Sequence, residues 1–235
     1  MDRVRNHLLA SLPPAVLGDL SPRLRPVHLV PEHALWRAGD RVANVVFPES
    51  GLVTCLAAAA DERIEIAMIG HESVAGALAA LGDPVALNTA MVQLPGQGQA
   101  LDAGFLRAAA DRHAVLRETL LRHHEAVFVQ AAQSVVCNAA HTVEERLARW
   151  LLRAHDVTGR ATLELTQEYL ADMLGVRRAS VSLVAHALQQ AGLIAYRRGQ
   201  IQILDRDGLR GAACACYHLV KRHYDRLMRP PGPKG

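Results

Sequence analysis

The hydrophobic pattern between residues 165 and 203 runs through two helical stretches and then changes to an alternating period. Tyr169, Leu170, Met173 and Leu174 recur at helical spacing and give one apolar face. Thr166 stands ahead of them as an N-cap, and Gly175 supplies the left-handed conformation that ends a helix. A second helix is predicted from about Arg178 to Ala191, with Val181, Val184, Ala185 and Leu188 as its inward stripe and Gly192 as its stop. After Leu193, Ile194 and Tyr196 the pattern becomes alternating. Ile201 and Ile203 interleave with Gln200 and Gln202 beyond a turn at Arg198–Gly199. Two short helices about a tight turn, then a two-stranded hairpin, read as a winged helix–turn–helix.

The outward positions of the second helix are Arg177, Arg178, Ser180, Ser182 and His186. In this geometry the leading residues of the second helix reach base edges in the major groove of double-stranded DNA. Arg178 is the base-reading candidate, because a guanidinium can donate twice to the O6 and N7 of guanine. Ser180 and Ser182 can donate to base or phosphate. Val181, inside the same run, is kept in the candidate set although it also falls on the inward stripe. Thr166, Gln167 and Arg177 are expected at phosphates, as are Arg197, Arg198 and Gln200 of the wing.

Upstream, His7 to Leu24 reads as short helices broken by Pro13, Pro14 and Pro22. From Val27 the runs are short and β-like: VHLV, ALWRAG, NVVFPESGLVTCLAA, IEIAMIG and AMVQLP, punctuated by Gly and Pro. That spacing predicts a sandwich or barrel-like roll. From Asp102 to about Asn138 the chain is helical again, with Leu116, Leu120, Val127 and Ala131 on one face and Leu121, Phe128, Ala132 and Val135 on another. A helix apolar on two faces needs two partners. The roll is one and the same helix of a second subunit is the other, with Leu116, Leu120, Val127, Phe128, Ala131 and Val135 as the dimerisation candidates. Thr142 and Glu145 then stand at capping-box spacing, which places a domain boundary near His141.

Whole-chain charge is only +3, but it is unevenly spread. Residues 146–235 hold fifteen Lys and Arg against seven Asp and Glu, a net of +8, while residues 1–145 hold eleven against sixteen, a net of −5. The basic part suits a polyanion. No apolar run is long enough to span a membrane, and the first residues lack a secretory apolar stretch, so a cytoplasmic protein is expected. The four cysteines, Cys55, Cys137, Cys214 and Cys216, make no CxxC pair or disulfide framework. The tail RPPGPKG is expected to be disordered.

The order of elements is similar to that of the bacterial cyclic-AMP receptor protein/Fnr family of transcription regulators over nearly the whole chain. AGDRVANVVFPESGLV, HTVEERLARWLL and LTQEYLADMLGVRRASVSLVAHALQQAGLI carry the resemblance. It implies an α+β chain in three parts. A cyclic-nucleotide-binding-like β-roll with a long dimerisation helix fills residues 1–140, a winged helix–turn–helix fills 141–228, and a tail fills 229–235. It further implies a homodimer on a palindromic promoter element, in contact with RNA polymerase.

Departures from the family pattern carry information. Where its best-known members have Arg-Glu-Thr-Val and a further Arg two residues on, this chain has Arg178, Ala179, Ser180 and Val181, then Leu183. Ala179 has no acceptor for a cytosine amine, so a different operator is expected. In the nucleotide pocket Glu72 is near the expected Glu, but Leu87-Asn88-Thr89-Ala90 stands where the phosphate-binding Arg belongs, and no Arg lies between Arg63 and Arg107. A buried phosphodiester without a cation is poorly compensated. Cyclic AMP is therefore not the expected effector, and the small-molecule effector is unknown.

No cofactor or metal is expected. The first cysteine is Cys55, which does not suit an amino-terminal iron–sulfur cluster. His28, His33 and His71 show no haem signature. His123, His124 and Glu125 read as solvated helix residues, since adjacent histidines do not share a helix face. On a helix Cys214 and Cys216 would point apart, which disfavours a shared metal or a disulfide. Enzyme motifs are missing: there is no phosphate loop, no GxSxG and no HExxH. The competing reading is a small-molecule, metal or redox sensor acting through protein–protein contacts, with a vestigial DNA-binding domain.

Overall fold

The computed structural model describes residues 4–59 and 62–228; the tail expected over 229–235 lies outside them. Two short helices, α1 (His7–Ala10) and α2 (Pro14–Leu20), lead into the roll. Its strands are β1 (Arg25–Leu29), β2 (Ala34–Trp36), β3 (Asn44–Pro48), β4 (Leu52–Ala59) and β5 (Glu62–Ile69). After helix α3 (Ala77–Leu81) come β6 (Thr89–Leu94) and β7 (Gly96–Asp102). They form two antiparallel sheets, in the orders β2-β6-β4-β5 and β1-β7-β3. Buried Val45, Phe47, Val53, Ile69, Val92 and Leu101 from both sheets fill the space between them.

Two helices follow, α4 (Ala103–Arg112) and α5 (Ala114–Ala140). The sequence reads this stretch as one helix, but His113 takes an extended conformation (φ −118°, ψ 94°) and separates them. Leu116, Leu120, His123, Ala126, Gln130, Ser134 and Cys137 make the buried face of α5. Leu116 and Leu120 are fully buried in the core of their own roll, so they are removed from the dimerisation set. Val127 is half-buried against the same core. The opposite stripe is different. Leu121, Phe128, Val135 and Val136 are exposed, with Phe128 at 65% and Val135 at 69%. His123 also departs from expectation. It is buried, and its Nε2 lies 2.5 Å from the Ser73 hydroxyl.

The C-terminal part runs α6 (Val143–Thr158), β8 (Thr162–Glu164), α7 (Gln167–Leu174), α8 (Arg178–Gln190), β9 (Ile194–Arg197), β10 (Gln200–Ile203), α9 (Arg206–Ala212) and α10 (Cys216–Leu227). The Thr142–Glu145 capping box starts α6, as its spacing predicts. Trp150, Leu151, Leu170, Val181, Leu188, Ile194 and Ile201 build a second core. That core takes in Leu52, Met68 and Leu94 from the roll, so the apolar packing runs across the boundary near His141. α10 returns along α5 and packs on it.

Candidate nucleic-acid interface

α7 starts where the Thr166 hydroxyl accepts from the backbone N–H of Tyr169 at 3.1 Å. It stops at Gly175, whose φ of +59° is left-handed. The chain then turns through Val176 and Arg177 into α8. Val181, Ala185 and Leu188 are buried beneath α8, against α6 and α7. Val181 is fully buried, so its place is the core and it leaves the candidate surface. An inward apolar stripe is what orients the rest of α8 outward.

Arg177, Arg178 and His186 are exposed, and Ser180 and Ser182 are half-buried. The Arg178 Nε lies 3.7 Å from a carboxylate oxygen of Glu168 on α7, a solvent-exposed pair that a stronger anion can displace. Ser182 and Gln167 meet directly, the Ser182 hydroxyl donating to Gln167 Oε1 at 2.5 Å. One side chain of α7 is thereby tied to one of α8. Leu183 is 73% exposed on the same outward side, a position the sequence marks only as standing where the family pattern has Arg. Its exposure is the signal. An apolar side chain on this surface can meet a thymine methyl.

The wing has three strands rather than two, in the order β8-β10-β9. Ile201 pairs with Tyr196 on one side and Leu163 on the other. Arg197 and Gln200 close the hairpin, leaving Arg198 and Gly199 as a two-residue turn with φ of +50° and +76°. Positive φ at both positions is the primed turn that fits strand twist. Arg197, Arg198, Gln200 and Thr166 are all exposed. Tyr196 faces inward enough for its hydroxyl to donate to the Leu165 carbonyl at 3.3 Å.

A cavity of about 340 Å³ lies between the roll, α3 and α5. Trp36, Val42, Ile69, Val74, Leu87 and Val127 make it largely apolar, with Asn88, Asp83, His123 and His124 as polar members. Burial pushes the His123 imidazole down to about 3, so it is neutral there. No Lys or Arg stands among the described lining residues. Arg107, beside it in the fold, donates to the carbonyls of Ala79 and Gly82 at the end of α3. Glu72 is away from the cavity, paired with Arg153 of α6 at 2.8 Å.

Residues 145–212 match the family model described as the Crp-like helix-turn-helix domain. No curated protein sequence matches the chain. Among solved structures, FixK2 from Bradyrhizobium japonicum is similar at a TM-score of 0.70 and 18% identity, covering 82% of this chain and 98% of that one. TTHB099, a transcriptional regulator of the CRP family from Thermus thermophilus, gives 0.62 and 21%, covering 80% and 96%. TTHA1359, a CRP/FNR-family transcriptional regulator from the same organism, gives 0.61 and 20%, covering 80% and 98%. The chain carries a Crp-like helix-turn-helix domain on the fold of the Crp/Fnr regulators.

Proposed function

We propose that this protein is a sequence-specific DNA-binding transcription regulator, working as a homodimer on a palindromic promoter site. The observation that carries the reading is the open leading end of α8, where Arg177 and Arg178 project from a helix anchored by its buried face. Arg178 and Leu183 read base edges. Arg177, Thr166 and the wing arginines hold phosphates, and Ser182 and Gln167 brace the two helices. The exposed stripe of α5, with Phe128 and Val135 at its centre, pairs the subunits and sets two copies of α8 in successive major grooves. Contact with RNA polymerase belongs to the same reading.

The effector of the roll is not cyclic AMP on this reading. A cyclic phosphodiester in the apolar cavity would meet neutral His123 and the carboxyl of Asp83 rather than a guanidinium. Selection of bound sequences from genomic fragments, followed by titration of the wild type and Arg178→Ala, tests the DNA reading. Loss of discrimination in the variant supports it, and unchanged discrimination rejects it.

A further inference from the structure

The long helix ends and the last helix begins at one place. Cys137 stands in the final turn of α5, and His141, four residues on, caps it by donating its N–H to the Cys137 carbonyl at 3.2 Å. From the far end of the winged part come Cys214, in the bend between α9 and α10, and Cys216, the first residue of α10. The expectation that these two thiols point apart rests on one helix running through both. The backbone is instead extended at Ala213 (φ −80°, ψ 148°), and α10 starts afresh. Cys137 Sγ lies 3.4 Å from Cys214 Sγ, and Cys216 Sγ lies 3.4 Å from His141 Nδ1. All four ligand atoms fall within 4.8 Å of one another. The three cysteines are buried together, apart from both main cores.

We propose that Cys137, His141, Cys214 and Cys216 bind one Zn²⁺ ion, which clamps α10 onto the end of α5. Tetrahedral zinc, with bonds of about 2.3 Å to sulfur and about 2.0 Å to nitrogen, holds its ligand atoms roughly 3.5–3.8 Å apart. The set needs only small side-chain adjustments to reach that. An iron–sulfur cluster has a core of several atoms and spreads its ligands more widely than this. A Cys137–Cys214 disulfide would engage two thiols and leave Cys216 and His141 with no part in the arrangement.

Charge supports the assignment. Three thiolates, one neutral imidazole and Zn²⁺ carry a net charge of −1, and a buried negative charge needs cations. Arg149 and Arg146 of α6 both act electrostatically on Cys137. The Nε of each is buried and makes no hydrogen bond among the described residues. Binding replaces three thiol protons with the metal and releases them to solvent, with no change of oxidation state.

The site sits where the winged part is entered, at His141, and left, at Cys216. Joining those two points with one ion holds the part that bears α8 at a fixed attachment to α5. A metal at this position couples zinc supply to the placement of α8.

Metal content of the full-length chain, purified under reductant, is the test, and it involves no DNA. One zinc per chain is expected. After chelation, the protein should take up one equivalent of Co²⁺ with the visible and thiolate-to-metal absorption of a tetrahedral site, and Zn²⁺ should displace it. Cys216→Ser and His141→Ala should each lose that uptake, while Cys55→Ala should keep it. His141 is only half-buried, so its variant remains informative where a cysteine variant does not fold. Folded protein that takes up no Co²⁺, uptake preserved in both Cys216→Ser and His141→Ala, or a metal-free chain with a Cys137–Cys214 disulfide would each overturn the assignment.

Discussion

Arg153 donates to Glu72 at 2.8 Å, across the seam between the winged part and the roll. The same guanidinium lies 4.9 Å from the Tyr224 ring, and the Tyr224 hydroxyl donates to the Glu72 carbonyl at 3.2 Å. Glu72, which stands near the family's nucleotide-binding Glu position, thus joins α6 to the roll through its carboxylate and α10 through its backbone carbonyl. Both charged side chains are mostly buried, so removing one strands the other. Arg153→Ala should lower stability by about 3 kcal/mol, read as a lower urea midpoint at unchanged slope. An unmoved midpoint would deny the pair its structural role.

Arg198 sits at the wing tip with a φ of +50°, a position that Asn or Gly fills at less cost. Nothing in the hairpin requires arginine there, whereas a phosphate would. Arg198→Asn should therefore raise thermal stability by about 0.5–1 kcal/mol while weakening DNA binding and flattening its salt dependence. A variant that is more stable and binds DNA as tightly as the wild type would remove the wing tip from the interface.

Phe128 and Val135 present a contiguous apolar stripe on a helix whose other face is already used. A second copy laid on that stripe would take it out of water, which is the physical reason to expect a dimer. Sedimentation of Phe128→Glu should give a monomer with its helical content retained. A dimer of wild-type stability would place the subunit contact elsewhere.

Glu65, buried on β5, accepts from the Thr54 hydroxyl at 3.0 Å. Burial pushes its carboxyl up to about 7, against the pull of Arg149 and Thr54. The folded chain then keeps a proton that the unfolded chain releases above its ordinary value of 4.5. This contribution to stability falls as pH rises through that window, by about 3 kcal/mol in total, and is level above it. Glu65→Gln should remove the slope and be the more stable protein at about pH 8. Parallel pH profiles for the two proteins would contradict the assignment.

The parts legible in the sequence are those where one period dominates. α7, α8 and the wing hairpin fall where Thr166, Gly175, Gly192 and Arg198–Gly199 mark them, because caps and turns are local chemistry. β7 has no such mark. Its Gly-Gln-Gly start carries no apolar alternation, yet a Cβ at Gly96 would come within 2.2 Å of the Ser50 carbonyl oxygen, and one at Gly98 within 2.6 Å of that of Phe47. Those glycines serve a close approach to β3 and the turn after it, a tertiary fact with no local signature. The two faces of α5 are visible in the sequence but not sorted by it. Leu116 and Phe128 are alike in sequence terms, and only the position of the roll decides which is covered. The cysteine–histidine cluster is invisible for a related reason. It depends on where one residue, Ala213, breaks a helix, and on α10 returning to α5.

Whether α8 reads DNA is decided by salt-dependent titration of operator against random duplex. Steep loss of affinity is expected, roughly a thousandfold between about 50 and 200 mM salt for about six phosphate contacts. Preference for the operator should survive that loss in the wild type. It should fall about 5- to 150-fold in Arg178→Ala, the equivalent of about 1–3 kcal/mol. Weak, salt-insensitive binding with equal affinity for operator and random duplex would contradict the assignment of α8 as the reading helix.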